Sequence, residues 1–287
     1  MLPTLGVDIV RKTILALLLT TLPLAAGAME CHYSAPRNAD VDAAGLNSLL
    51  LKLGSTDLNI QSTPGLTQVE VRGTACASNA AWLKDVQIGT SRNGDRAAVA
   101  AQNNHHENTF TLFGSSYAYL KLQVRVPATL AISVESGSGD VNAANLASLD
   151  FNSGSGDLIA DHIAGALTLK LGSADAKARH VGSVDLHETG SGDVRVDGVQ
   201  GDIQANHAGS GDLDFNNVSG SVNVGATGSG DITFNNIGHD AKVGSTGSGD
   251  VNANGVGGDF TVGANGSGDV HYTNIKGKVS VPKSDDN

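Results

Sequence analysis

Gly209-Ser210-Gly211-Asp212, Gly228-Ser229-Gly230-Asp231, Gly247-Ser248-Gly249-Asp250 and Gly266-Ser267-Gly268-Asp269 are four copies of one tetrapeptide. Upstream the same motif ends at Asp140, Asp157 and Asp193, and the variant Gly172-Ser173-Ala174-Asp175 fills the remaining place. Successive aspartates are 17, 18 and 18 residues apart, then 19 residues apart four times. A regular period of that size marks a solenoid, in which a single coil cannot bury its apolar side until the next coil stacks on it.

Counted from each Asp, the next residue is apolar in every coil: Val141, Leu158, Ala176, Val194, Leu213, Ile232, Val251 and Val270. Position +3 is apolar too, with Phe215, Phe234 and Tyr272 among its members, and so is position +6, from Leu146 to Ile275. A Gly follows at +8 in most coils (Gly165, Gly201, Gly220, Gly258, Gly277). A second alternating pair then comes at +10 and +12, as in Val222 with Val224 and Phe260 with Val262. Alternation of period two marks short strands with one buried face, so each coil holds two strands separated by two glycine-bearing turns. The fold class expected is all-β: a parallel β-solenoid of about 19-residue coils behind an irregular β N-terminal cap. At a strand spacing of about 4.8 Å, eight such coils extend roughly 35–40 Å. The shorter first three coils predict tighter turns there.

Composition agrees with this architecture. Gly supplies 37 of 287 residues and aromatics only 4%, so stability must come from stacked backbone pairing and small Val, Ile and Ala contacts. The formal charge of −11 argues against nucleic acid or anionic lipid as partner, since both demand clustered Lys and Arg.

Arg11 and Lys12 precede an apolar stretch from Thr13 to Ala26, and Ala26-Gly27-Ala28 has the small-x-small pattern of a signal-peptidase site. Residues 1–28 are therefore expected to be a Sec-type signal peptide, with a mature start near Met29 and no membrane span in the mature chain. The alternative is a retained anchor, although the apolar run is shorter than the roughly 20 residues a bilayer requires. Cys31 also invites a lipoprotein reading, against which Glu30 occupies the place where a small residue is needed. Loss of Asp8, Arg11 and Lys12 with the leader takes the formal charge from −11 to −12. Periplasm is the default destination of such a leader, with the cell surface or the medium as alternatives.

Cys31 and Cys76 are the two cysteines of the chain. In an oxidising compartment they are expected to pair, closing a loop of about 45 residues and contributing on the order of 3–4 kcal/mol. The alternative is two free, buried thiols. Between the leader and the repeats, Leu49-Leu50-Leu51-Lys52-Leu53, Val69-Glu70-Val71 and Leu120 to Val126 alternate as strands do. Gly54-Ser55-Thr56-Asp57 reads as a degenerate copy of the motif, preceded by Leu-Lys-Leu just as Gly172 is. The organisation expected is thus a cap with degenerate β coils over 29–125, a regular solenoid over 126–282 and a polar tail over 283–287. A looser excursion is expected around Asn93 to Glu107.

Two readings of the tetrapeptide compete. In the structural one, glycine supplies positive φ and close backbone approach at a corner, Asp closes an Asx-turn on the backbone two residues on, and Ser forms a hydroxyl ladder between coils. In the other, stacked carboxylates at Asp193, Asp212, Asp231, Asp250 and Asp269 form a rail for Ca²⁺, because hard divalent cations bind oxygen-rich turns. The calcium β-roll motif, Gly-Gly-x-Gly-x-Asp-x-apolar, places its Asp differently relative to the inward apolar residue. The second turn keeps an Asp after glycine at Asp202 and Asp259 alone. No other cofactor is implied.

Catalytic patterns are weak. The nine histidines form no column, although His162 and His180 share position +5, and His105-His106-Glu107 is the one local cluster. No serine sits in a Gly-x-Ser-x-Gly elbow. Acids such as Asp197 and Asp202 could serve a glycoside hydrolase. Such an enzyme needs long loops to build a cleft, and the coils from Asp193 onward carry no insertion. Trp82 lies outside the regular coils, so the N-terminal region is the place a cleft would occupy.

Ser-Gly-Ser-Gly-Asp-Val, repeated after Leu-Gln-Val-Arg-Val-Pro-Ala-Thr-Leu (Leu122 to Leu130), resembles the bacterial "putative adhesin" family. These are exported β-solenoid domains of unknown function related to the head GIN domains. The likeness covers about Leu120 to Val281, and more weakly 45–120. It implies a non-enzymatic, adhesin-like structural or interaction protein of the cell envelope, whose partner is an envelope component, a glycan or a protein. It transfers no catalytic or ligand residues. Two alternatives stand beside it: a carbohydrate-active β-helix enzyme and a calcium-binding repeat protein.

Overall fold

A computed structural model describes residues 31–104 and 117–282. The leader 1–28, the His105-His106-Glu107 cluster and the tail 283–287 lie outside these described residues.

The first strands build the atypical end. β1 (Tyr33–Asp42) pairs antiparallel with β4 (Gln68–Ala77), and β4 pairs antiparallel with β7 (Ala118–Val126). β5 (Val86–Asn93) and β6 (Arg96–Asn103) form a hairpin through the left-handed Gly94. Between these layers, β2 (Ser48–Gly54) and β3 (Asp57–Ser62) already follow the solenoid path. β2 lies parallel between β6 and β8 (Ala131–Ser136), and β3 lies parallel between β7 and β9 (Val141–Leu146). Gly54-Ser55-Thr56-Asp57 is thereby the first corner of the stack, and Asp140 donates its N–H to the Asp57 carboxylate at 3.3 Å.

Each later coil adds one strand to each of two parallel sheets. The first sheet continues from β9 through the front halves of β11 (Leu158–Leu171) and β12 (Ala176–Thr189). It then runs through β13 (Val194–Val199), β15 (Leu213–Val218), β17 (Ile232–Ile237), β19 (Val251–Val256) and β21 (Val270–Ile275). The second sheet continues from β8 through β10 (Ser148–Ser153) and the rear halves of β11 and β12. β14 (Ile203–Ala208), β16 (Val222–Thr227), β18 (Ala241–Thr246), β20 (Phe260–Asn265) and β22 (Val279–Ser280) complete it. The parallel β-solenoid expected from the motif spacing is therefore what forms. The shorter coils do turn more tightly, since β11 and β12 pass from one sheet to the other without a break, whereas three residues separate β13 from β14.

Between the sheets the columns at +1, +3, +6, +10 and +12 interlock. Phe215, Phe234 and Phe260 are fully buried; the Phe215 and Phe234 ring centroids are 6.2 Å apart along the first sheet, and Phe260 on the second sheet meets Phe234 edge-on across the core at 6.5 Å. A side chain on these columns touches the same position one coil above and below, so a single large-to-small change opens a void in three coils at once.

Cys31 and Cys76 sit at the open end of the β1–β4 pair, with Cα atoms 5.3 Å apart and the sulfurs joined as a disulfide. Trp82 belongs to a short 3₁₀ turn, Ala80–Asp85, capped by Asn79. Arg37 ties that turn to β1, donating from Nε to the Val86 carbonyl at 2.7 Å and from Nη2 to the Leu83 carbonyl at 2.6 Å.

Candidate binding face

The Gly-Ser-Gly-Asp corner connects the second sheet to the first, and its chemistry differs from the local turn expected. From Asp57 to Asp250, each aspartate accepts through Oδ1 the backbone N–H of the aspartate one coil on, at 2.8–3.3 Å, and Asp269 ends the ladder as donor only. The carboxylate thus spans coils instead of closing an Asx-turn, and it satisfies a corner N–H that no strand pairs. Asp193, Asp212, Asp231, Asp250 and Asp269 all belong to this ladder, with one oxygen of each of the first four committed to the next coil.

The opposite corner repeats the device. Asp202 Oδ1 accepts from Ser221 N, Ser221 Oγ from Asp240 N, Asp240 Oδ1 from Asp259 N, and Asp259 Oδ1 from Lys278 N. Asp240 escapes a search for Asp after glycine because His239 precedes it.

Of the two reasons expected for the motif glycines, close backbone approach holds and positive φ does not. In the eight copies from Gly137 to Gly268 none of them is among the residues of positive φ, and only Gly54 of the degenerate first corner is left-handed, at 61°. The second glycine of each copy is where coils approach most closely: a Cβ on Gly211, Gly230 or Gly249 would stand 2.0 Å from the carbonyl oxygen of the equivalent glycine one coil back. Ala174 occupies that position once, fully buried, with Gly156 and Gly192 as its neighbours in the column. The hydroxyls that bond belong not to the motif serines but to the inward residue just before the motif. Ser153, Thr189 and Thr246 donate to the carbonyls of Gly156, Gly192 and Gly249 at 2.7–3.2 Å.

Positive φ appears at position +5 in every regular coil: Asn145, His162, His180, Gly198, Asn217, Asn236, Gly255 and Asn274, between 54° and 77°. Asn, His and Gly are the types that tolerate the left-handed region. This column was missed in the sequence because three residue types share one backbone requirement, although position +5 holds nothing else.

Outward positions +2 and +4 of the first sheet make the exposed face. In coils after Asp193 the +4 row is amide-rich, and Asn235 donates to Asn216 at 2.9 Å. Asn236 donates to Asn217 at 3.1 Å, and Asn217 to Asp197 at 2.6 Å. In the earlier coils the same rows turn charged and apolar. Ile159, 51% exposed, lies between Asn142 and Lys177, and Asp161 lies between Ala144 and Arg179.

Two shallow grooves flank Ile159. One, of about 330 Å³, is lined by Gln61, Gln123, Arg125, Asn142 and Asp161; the other, of about 350 Å³, by Lys177, Arg179, Arg195, Asp197 and Asn216. Arg195 donates to Asp214 at 2.8 Å and lies 3.6 Å from Asp193, and the Asp214 hydrogen bond holds its guanidinium even more firmly protonated. The basic cluster is local, set in a chain of formal charge −11. Among the described residues no helix is long and apolar enough to cross a membrane.

Repeated two-strand coils with uninterrupted corners define a β-solenoid repeat protein whose exposed rows are its chemical surface. The chain belongs to the Toastrack DUF4097 family, whose model matches residues 46–286. No curated protein sequence matches it. Among solved structures it is similar to a "putative adhesin" of Bacteroides fragilis NCTC 9343, at 14% identity and a TM-score of 0.35, over 88% of this chain and 98% of that one. A cell adhesion protein of Clostridium sporogenes ATCC 15579, also described as putative, shows 10% identity and a TM-score of 0.29, over 87% of this chain and 99% of that one. A third, a "putative adhesin" of Parabacteroides distasonis ATCC 8503, shows 12% identity and a TM-score of 0.32, over 86% and 97%.

Proposed function

We propose that this protein is an exported, non-enzymatic interaction module of the bacterial cell envelope, which presents the outer face of its first sheet to a glycan or protein partner. The observation that carries this reading is the pair of grooves around Ile159, where an exposed apolar side chain is bordered by Lys177, Arg179 and Arg195 and by the amides of Asn142 and Asn216. Apolar contact with fanned polar donors is the composition of a recognition surface for an extended, hydroxyl- or carboxylate-bearing ligand. The leader read at residues 1–28 supports export, and the short, uninterrupted corners of the coils from Asp193 onward leave a flat face in place of a catalytic cleft.

The test is to pan the purified protein on an array of envelope glycans and cell-envelope fractions, beside an Ile159→Asp, Arg179→Glu double variant. Binding by the native protein that the variant loses is the expected result. Release of reducing sugar from a bound glycan would assign the face to an enzyme, and undiminished binding by the variant would move the site elsewhere.

A further inference from the structure

The front halves of β11 and β12 bring three metal-ligating side chains to one point at the edge of the first sheet. Parallel pairing sets Asp161 opposite Arg179 and Ile163 opposite Val181, which leaves His162 opposite His180. Both histidines are left-handed, at φ 57° and 54°, so their side chains leave the backbone in the same direction. Their rings stack at 4.5 Å between centroids and 28° between planes. Asp161 Oδ1 lies 3.1 Å from His162 Nδ1 and 2.9 Å from His180 Nδ1. One donor atom from each residue falls within 4.8 Å of the other two.

We propose that Asp161, His162 and His180 form a binding site for a first-row divalent transition-metal ion of the zinc, nickel or copper type. Metal–nitrogen and metal–oxygen bonds of about 2.0–2.1 Å put tetrahedral ligand atoms about 3.3 Å apart, close to the Nδ1–Oδ1 separations here. Two imidazoles with one carboxylate select such ions over Ca²⁺ and Mg²⁺, which take oxygen donors. The three side chains are roughly half exposed, at 44–61%, so an ion reaches them from solvent and keeps open positions for water or a donor from a partner.

The surroundings are prepared for a cation. The Asp161 carboxylate already faces the Nδ1 atoms of both rings from one side. The donor set is also fixed before any ion arrives. A solenoid rung sets the spacing of the two histidines, and their shared backbone conformation sets the side-chain direction, so little ordering remains to oppose binding.

The same column supplies a variant that keeps the fold. Asn217 and Asn236 hold the equivalent backbone at φ 55° and 57°, so His162→Asn with His180→Asn removes both imidazoles while retaining a residue the column already uses. Zinc chloride and nickel chloride are titrated separately by calorimetry into the purified native chain and the double variant, with calcium chloride as the comparison ion. Thermal unfolding without metal checks that the two proteins fold alike.

The native protein is expected to bind one zinc or nickel ion at this site. The double variant is expected to bind on the order of 100-fold more weakly. In the native protein the imidazole ¹⁵N resonances of His162 and His180 should report Nδ1 as the ligated nitrogen. The remaining histidines are common to both proteins, so the difference isolates this pair. An isotherm unchanged in the double variant, or no saturable zinc or nickel binding by the native chain, would overturn the assignment.

Discussion

The coils before Asp193 and those after it follow the same backbone path with different outward residues. After Asp193 the coils are 19 residues long, their left-handed corners hold only Asn or Gly, from Gly198 to Asn274, and their +4 row is Asp197, Asn216, Asn235, Asn254 and Thr273. Before it the coils are 17 or 18 residues long, and the same positions hold His162, His180, Asp161 and Arg179. The later half satisfies itself, since amide donates to amide from coil to coil. The earlier half has exchanged part of that ladder for groups that seek other partners: a lone exposed Ile159, the two basic side chains Lys177 and Arg179, and a paired imidazole. In a repeat whose backbone needs are met identically in every coil, departure of the outward residues from the repeat is the place to look for binding.

Removing or adding one methyl at the glycine corner breaks that comparison most strongly. Gly230→Ala is expected to destabilise the later half by about 3 kcal/mol, because the new Cβ meets the fixed Gly211 carbonyl, a backbone atom held by its own ladder. Ala174→Gly, in the earlier half, is expected to change stability by only about 1 kcal/mol, since it exchanges a small apolar contact for relief of crowding. Urea unfolding of both variants compares them directly, and equal losses would show that the two halves stack equally tightly.

Gly198 stands between the two halves and tests the left-handed column by itself. A Cβ there meets nothing closer than 3.7 Å, so substitution is opposed by φ of 77° and not by space. Gly198→Ala is expected to cost about 1 kcal/mol. Gly198→Asn, the residue type the later coils use, is expected to cost clearly less, on the scale of a few tenths of a kcal/mol. Thermal unfolding of the pair ranks them, and an Asn variant no better than Ala would contradict the backbone account of the column.

The fold was legible because the motif period and the apolar columns are properties of the sequence that repeat eight times, and the tighter early corners followed from coil length alone. The roles of the corner residues were not legible in the same way. Gly, Ser and Asp are all turn formers, so a local turn accounts for them as well as a ladder does, and only the register of Asp157 on Asp140 shows that the carboxylate reaches across coils. The left-handed column was hidden by its mixture of Asn, His and Gly. The histidine pair was visible as a shared position, but its convergence on Asp161 depends on side-chain direction, which spacing does not encode.

The ladder reading of Asp231 is the central claim, and it separates cleanly from a cation-rail reading. Asp231 Oδ1 accepts from Asp250 N at 2.8 Å, a bond that an amide oxygen can also accept and an alanine cannot. Unfolding of Asp231→Asn and Asp231→Ala, each measured with calcium chloride and with EDTA, tests it most directly. The ladder predicts a loss of about 1–2 kcal/mol for Ala, a clearly smaller loss for Asn, and midpoints indifferent to calcium. An Asn variant as unstable as the Ala variant, with calcium raising the midpoint of the native protein alone, would contradict it.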